Sequence, residues 1–240
     1  MRTAQKITLS AFILITIGLF SFLKSSTDHQ PPVGPYKDAA TNLIYNLLFC
    51  DNFNLYKTNT KHPLVYPFDV LFAENSTPAA LQHIAAGHAA ETRTRILAYN
   101  RLLSMGHKPD KKELLGVIVE VGLDEGLDVV ASYQDGTARY INYTGKLVVW
   151  ETTTAASAKL TKELFAQSEL ILSKLGPWNH PRRPHPAKGN ARITFLVSDG
   201  LYFGEGPVDA FFNDQMAGPA LNAAGELMKY VTTQALKNAH

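Results

Sequence analysis

Cysteine is nearly absent. Cys50 is the only one in 240 residues, so an internal disulfide, a thiolate-based zinc site and a dithiol redox pair are all excluded. An excess of one charge is missing too: 23 basic and 21 acidic residues give a formal net charge of +2. They are spread along the chain, which removes the basic field that nucleic-acid binding needs. Signatures of nucleophilic and nucleotide chemistry are also lacking. No serine stands in G-x-S-x-G, Cys50 lies beside Leu48 and Phe49 without a neighbouring histidine, and no stretch matches G-x-x-x-x-G-K-[ST] or G-x-G-x-x-G. With no internal repeat and no linker-like interruption, the composition of 45% hydrophobic and 18% charged residues is that of one globular domain with a sizeable core.

One long apolar run is present. Arg2 and Lys6 lie in a short cap, residues 1–6, and residues 7–23 are mostly apolar, including Phe12, Ile13, Leu14, Ile15, Ile17, Leu19 and Phe20. As a helix the run would span about 25 Å, slightly short of a bilayer core but tolerable if Lys24 snorkels. No A-x-A site follows, so the expectation is a signal anchor, with a cleaved signal peptide as the alternative. The flanking charges place the cap in the cytoplasm and the domain outside it, membrane-anchored, or secreted or periplasmic after cleavage. Residues 24–35, which end in DHQPPVGP, read as an extended spacer.

From residue 36 onward the patterning predicts an α+β domain, residues 36–240. Leu43, Ile44, Leu47 and Leu48 give helical spacing over 36–50, residues 52–67 read as irregular, and 67–72 fit a short helix or a short strand equally well. Thr77-Pro78 is a helix start, and the pattern continues to Met105 as one long helix facing the sheet. Beyond Leu114 the period falls to two, and three turn signals, around Asp124, Asp135-Gly136 and Thr144-Gly145, predict a four-strand antiparallel meander. With three residues in the first turn and two in each of the others, Val119, Ala131, Tyr140 and Val149 form one row, and Arg139 faces Trp150 across a pair, where it can stack. A helix over 155–175, a hairpin from 192–198 into 201–205 and a final helix from about 219 to 238 complete an architecture of meander, added hairpin and three to four helices.

Four features carry candidate chemistry. His83 and His88 in HIAAGHAAE are five residues apart, about 140° around a helix, which does not place them on one face as metal ligands; His88 reads instead as a core residue of the stripe. No metal or cofactor is expected. The segment WNHPRRPHP, with Trp178, His180, Arg182, Arg183 and His185, and with Lys188 and Arg192 beyond it, reads either as a solvated crossover or as a pre-ordered site for an anion or an acidic partner. Asp199 and Glu205 stand at the two ends of a glycine-rich hairpin whose glycines suit turns, yet both are candidate carboxylates. Glu120 interrupts LLGVIVEVGL, so either that sheet face is partly open or the carboxylate is buried and paired; the expectation is the open face, since an unpaired buried charge costs several kcal/mol. Asn75 and Asn142 match the glycosylation sequon but fit a helix cap and a hairpin turn.

The function expected from these features is a non-enzymatic module that binds a protein or a small anionic ligand through the basic loop, tethered to the membrane by residues 7–23. The alternative is a hydrolase or transferase using Asp199, Glu205 or Glu120 with a nearby histidine such as His180 or His185.

Overall fold

The computed structural model describes residues 34–238. The hydrophobic segment 7–23 and most of the spacer lie outside the described residues, and among those described no helix is long and apolar enough to cross a membrane.

An N-terminal group of helices comes first. Helix α1 (Ala39–Leu47) starts where the Asp38 carboxylate accepts from the Thr41 amide. Residues 52–67 are not wholly irregular, because Asn52 caps α2 (Phe53–Asn59), and the ambiguous stretch after Pro67 is a short helix, α3 (Phe68–Leu71). The single long helix expected over 77–105 is two: α4 (Pro78–Ala86), capped by Thr77, and α5 (Thr92–Ser104). Its break has a non-local cause. Asp135, in a distant hairpin turn, accepts from the Thr92 amide at 2.8 Å, and Thr92 Oγ1 accepts from the Asp135 amide at 3.0 Å. The hairpin thereby supplies the N-terminal cap that starts α5 afresh. His88 falls in this break and is exposed, not part of the core.

Six strands follow in one antiparallel sheet: β1 (Leu114–Gly122), β2 (Leu127–Tyr133), β3 (Ala138–Ile141), β4 (Leu147–Trp150), β5 (Asn190–Val197) and β6 (Gly200–Pro207), ordered β4-β3-β2-β1-β5-β6. The added hairpin joins the meander through β1. Helices α6 (Ala155–Leu172), α7 (Val208–Asn213) and α8 (Ala217–Asn238) complete the α+β domain.

The meander register differs from expectation by one residue at every turn. Tyr133 closes on Thr137 and Asn142 on Lys146, so both hairpins have three-residue loops whose last residue, Gly136 (φ 84°) or Gly145 (φ 86°), is left-handed. That is a type I turn followed by a glycine bulge. At the first turn Leu123 closes on Gly126, leaving two residues. Val119 therefore faces Val130, and the row continues through Tyr140 and Val148. Arg139 faces Val149 and Trp150 faces Ala138, so the expected stack is absent: Arg139 donates to the carbonyls of Ala138 and Trp150, and the Trp150 ring packs edge-on against Tyr230 at 5.6 Å.

Both faces of the sheet are covered. On one, Ile118, Val129, Ala131, Tyr133 and Ile141 pack with α1, α4 and α5 through residues such as Tyr45, Leu81 and Leu97, and with Phe49 just beyond α1. On the other, Val117, Val119, Val130, Phe195 and Tyr202 pack with α6 and α8 through Leu164, Leu221, Leu227 and Val231. Burial on two sides is why β1 reads as a near-continuous apolar run.

Candidate functional site

Register alone brings three charged side chains into line. Glu120 pairs with Arg192 across β1 and β5, and Arg192 pairs with Glu205 across β5 and β6, so the three share a row on the face covered by α1. The expectation of an open face at Glu120 is incorrect: Glu120 is 0% exposed. Its Oε1 accepts from the Tyr45 hydroxyl of α1 at 2.6 Å, while Oε2 has no hydrogen-bond partner and lies 3.7 Å from a terminal nitrogen of Arg192. Burial pushes the carboxyl above the usual glutamate range, and the Tyr45 bond and the Arg192 charge only partly offset this. Tyr45 is in turn held well above the usual phenol range by its own burial and by the neighbouring carboxylate.

Arg192 ties this row to the loop that follows α6. Its Nε and one terminal nitrogen donate to Glu205 Oε2 at 3.0 and 2.8 Å, and its terminal nitrogens also donate to the carbonyls of Arg183 at 3.3 Å and Pro184 at 2.6 Å. A guanidinium has five N–H donors in a fixed fork. Most are used on a carboxylate and on loop backbone. The loop is fixed at other points as well: the Trp178 amide donates to the Leu201 carbonyl at 2.7 Å, and the Gly189 amide to the Gly122 carbonyl at 2.9 Å. At Gly122 a side chain has no room, since a Cβ there would stand 2.2 Å from the Ala187 carbonyl oxygen. This glycine lets residues 186–187 lie directly on the sheet.

The residues singled out in WNHPRRPHP divide sharply. Arg182 turns inward: Nε donates to Asp51 at 2.6 Å, a terminal nitrogen donates to Asn46 at 2.9 Å, and its guanidinium lies 3.8 Å from the Phe49 ring centre. Arg183 turns outward. It is exposed, its guanidinium lies 5.1 Å from the Trp178 ring centre and 5.4 Å from that of Phe203, and among the described residues it forms no ion pair. Trp178 meets Phe203 and His180 edge-on, each at 5.0 Å, and its indole N–H donates to the Pro181 carbonyl at 3.0 Å. His180 and His185 are exposed, with His185 Nδ1 3.2 Å from the Pro186 carbonyl. Lys188 pairs on the surface with Asp124.

Of the three candidate carboxylates, Glu120 and Glu205 share Arg192. Asp199 does not join them. It lies at the opposite end of β6, about 20 Å along the strand at ~3.3 Å per residue, and accepts from the Tyr202 hydroxyl at 2.9 Å. Among the described residues neither His180 nor His185 hydrogen-bonds to a carboxylate. Two small clefts are present, one of them beside Asp51 and Phe49, the partners of Arg182. One of about 160 Å³ is bordered by Phe49, Asp51, Asn100 and Leu201, and one of about 250 Å³ by Tyr56, Phe68, Glu91 and Arg93. Glu120, Arg192 and Glu205 line neither.

Among the described residues no three His, Cys, Asp or Glu side chains are placed to share a metal ion, and His83 and His88 are both exposed. Cys50 is buried with left-handed backbone (φ 53°), and burial pushes its thiol up to about 12.

Sequence reasoning missed Tyr45, Phe203 and Gly122 as parts of this region, and it counted Arg192 among the basic residues beyond the loop without its place in the buried row. One signal was available for Arg192, a charged residue opening the apolar run RITFLVS; its two glutamate neighbours follow only from the register. No protein-family model matches the chain, and no curated protein matches it.

Proposed function

We propose that the domain is a non-enzymatic binding module, exported behind the hydrophobic segment 7–23 and presenting residues 178–188 to an acidic protein partner or a small anionic ligand. One observation carries this reading. Arg183 is exposed on a platform formed by Trp178 and Phe203, with no carboxylate partner among the described residues, while the neighbouring arginines Arg182 and Arg192 are both occupied inside the domain. A guanidinium held over aromatic rings has lost part of its side-chain freedom before any partner arrives, which lowers the entropy cost of binding an anion. Fixing of the loop by Arg192 and by the Trp178 amide works in the same direction.

Support for the hydrolase or transferase alternative is thinner. Glu120 and Glu205 are committed to one guanidinium, Asp199 stands far along β6, and the two histidines face solvent. General acid-base catalysis requires such groups within hydrogen-bonding reach of one substrate position.

The test is capture from a membrane extract of the native cells by immobilised domain, comparing wild type with Arg183→Glu. A partner retained by wild type and lost by the variant supports the proposal. Equal retention by both would remove the loop from consideration as the contact.

A further inference from the structure

Strand β6 is an edge of the sheet, and the phase of its hydrogen bonding can be fixed from two contacts. The Val208 amide donates inward to the Gly189 carbonyl, continuing the β5–β6 ladder, whereas the Leu201 carbonyl points outward and accepts from the Trp178 amide. Odd-numbered residues of β6 therefore turn their backbone groups away from the sheet. At Leu201 the loop already provides a partner. At Phe203 and Glu205 the outward N–H and C=O groups have no backbone partner among the described residues.

From this we infer that the partner binds as an extended, acidic peptide segment, adding a strand to β6 beside Phe203 and Glu205. The inference rests on the proposed contact loop and specifies what that loop recognises. Charge complementarity selects the occupant. A residue directly across from Phe203 shares a face with the Phe203 ring, over which the unpaired Arg183 guanidinium lies, so a carboxylate there can pair with Arg183. Two residues away, across from Glu205, a second carboxylate would face one already held by Arg192 and is disfavoured. On the other face β6 carries Gly204 and Gly206, and a Cβ at Gly206 would meet the Phe211 ring at 2.6 Å, so Phe211 occupies the space that side chains would have filled. Phe212 beside it is 44% exposed. An apolar residue between the two positions of the added strand would meet this aromatic surface. Main-chain bonds supply affinity and the alternating side chains supply specificity.

Selection of displayed random short peptides on the immobilised domain tests this directly. Expected is a family with an acidic residue, an apolar residue and a non-acidic residue in succession. Synthetic representatives should lose about tenfold or more in affinity on Arg183→Glu and a similar factor when alternate peptide amides are N-methylated. The amides of Phe203 and Glu205 should exchange more slowly with solvent when the peptide is bound. Peptides that need Arg183 but tolerate N-methylation in either phase, and leave those amides unprotected, would overturn strand addition while leaving the contact loop standing. No enriched family, or binding indifferent to Arg183→Glu, would overturn both.

Discussion

Glu120 and Arg192 stand opposite each other on adjacent central strands, both fully enclosed, with one carboxylate oxygen of Glu120 facing the guanidinium at 3.7 Å and no hydrogen bond between them. The separation is too long for a hydrogen bond and short enough for strong attraction in a poorly hydrated interior. Arg192 completes its bonding instead with Glu205 and with the loop carbonyls of Arg183 and Pro184. The pair thus ties the middle of the sheet to the segment that carries the proposed contact.

Replacing Arg192 by leucine leaves two carboxylates without their shared cation and frees two loop carbonyls. Removal of one partner from a buried ion pair typically costs about 3–5 kcal/mol, and a loss of that order is expected in urea unfolding. A change below ~1 kcal/mol would show that the row is better hydrated than its burial implies.

Glu120→Gln should alter the pH dependence of stability in a definite direction. Burial raises the folded-state pKa of Glu120 above its unfolded value. At low pH both states hold the proton and the group contributes nothing; as pH rises through the folded pKa, the native state must accommodate a buried charge and stability falls. The variant lacks this loss. Stability measured by urea unfolding should therefore shift in favour of Glu120→Gln as pH rises from the ordinary glutamate range toward neutrality, and parallel profiles for the two proteins would contradict the account.

Gly122→Ala should destabilise the domain by about 1–3 kcal/mol, the usual cost of forcing atoms into a filled site, because the added Cβ would overlap the Ala187 carbonyl. Faster amide exchange at Gly189, whose N–H bonds to Gly122, is the local readout. Unchanged exchange there would mean that the loop does not depend on this close approach.

The two adjacent arginines should separate cleanly. Arg182→Ala removes bonds to Asp51 and Asn46 and a contact with Phe49, so a stability loss of about 1–2 kcal/mol is expected. Arg183→Ala should fall within about 0.5 kcal/mol of wild type, as exposed substitutions generally do. Thermal or urea unfolding of the two variants provides the comparison; equal losses would contradict the division between an inward and an outward arginine.

Cys50 should be unreactive toward a thiol reagent in the native protein and react fully in denaturant, since the thiol is enclosed and burial holds it protonated at neutral pH. Rapid native-state labelling would contradict the packing at the end of α1.

How far the sequence could be read depended on whether a feature was local. Thr77-Pro78 marks a helix start from two adjacent residues, and the β-branched apolar run after Leu114, followed by turn residues at short intervals, identifies strands without further help. The break before α5 was illegible because its cap, Asp135, belongs to a hairpin 43 residues away. Burial raises the Asp135 carboxyl, but hydrogen bonds from Thr92 and Thr137 outweigh it and leave the group below the usual aspartate range. Register failed for a subtler reason: Asp135-Gly136 suits a two-residue turn as well as a three-residue loop ending in left-handed glycine, and the choice moves every pair by one. With the register displaced, Glu120 could not be aligned with Arg192 and Glu205. The loop was conspicuous by composition, but which arginine turned inward depended on Asn46 and Asp51, far away in sequence.

The outward face of residues 178–188, and no other surface of the domain, is the proposed contact with the partner. The most direct measurement places a photo-crosslinking residue at His180, beside the Trp178 ring, or at Lys146, just before edge strand β4, in the full chain in its native cells. A discrete adduct is expected from position 180 that disappears when Arg183→Glu is added, and none from position 146. Equal adducts from both positions, or an adduct at 180 unaffected by Arg183→Glu, would contradict this contact.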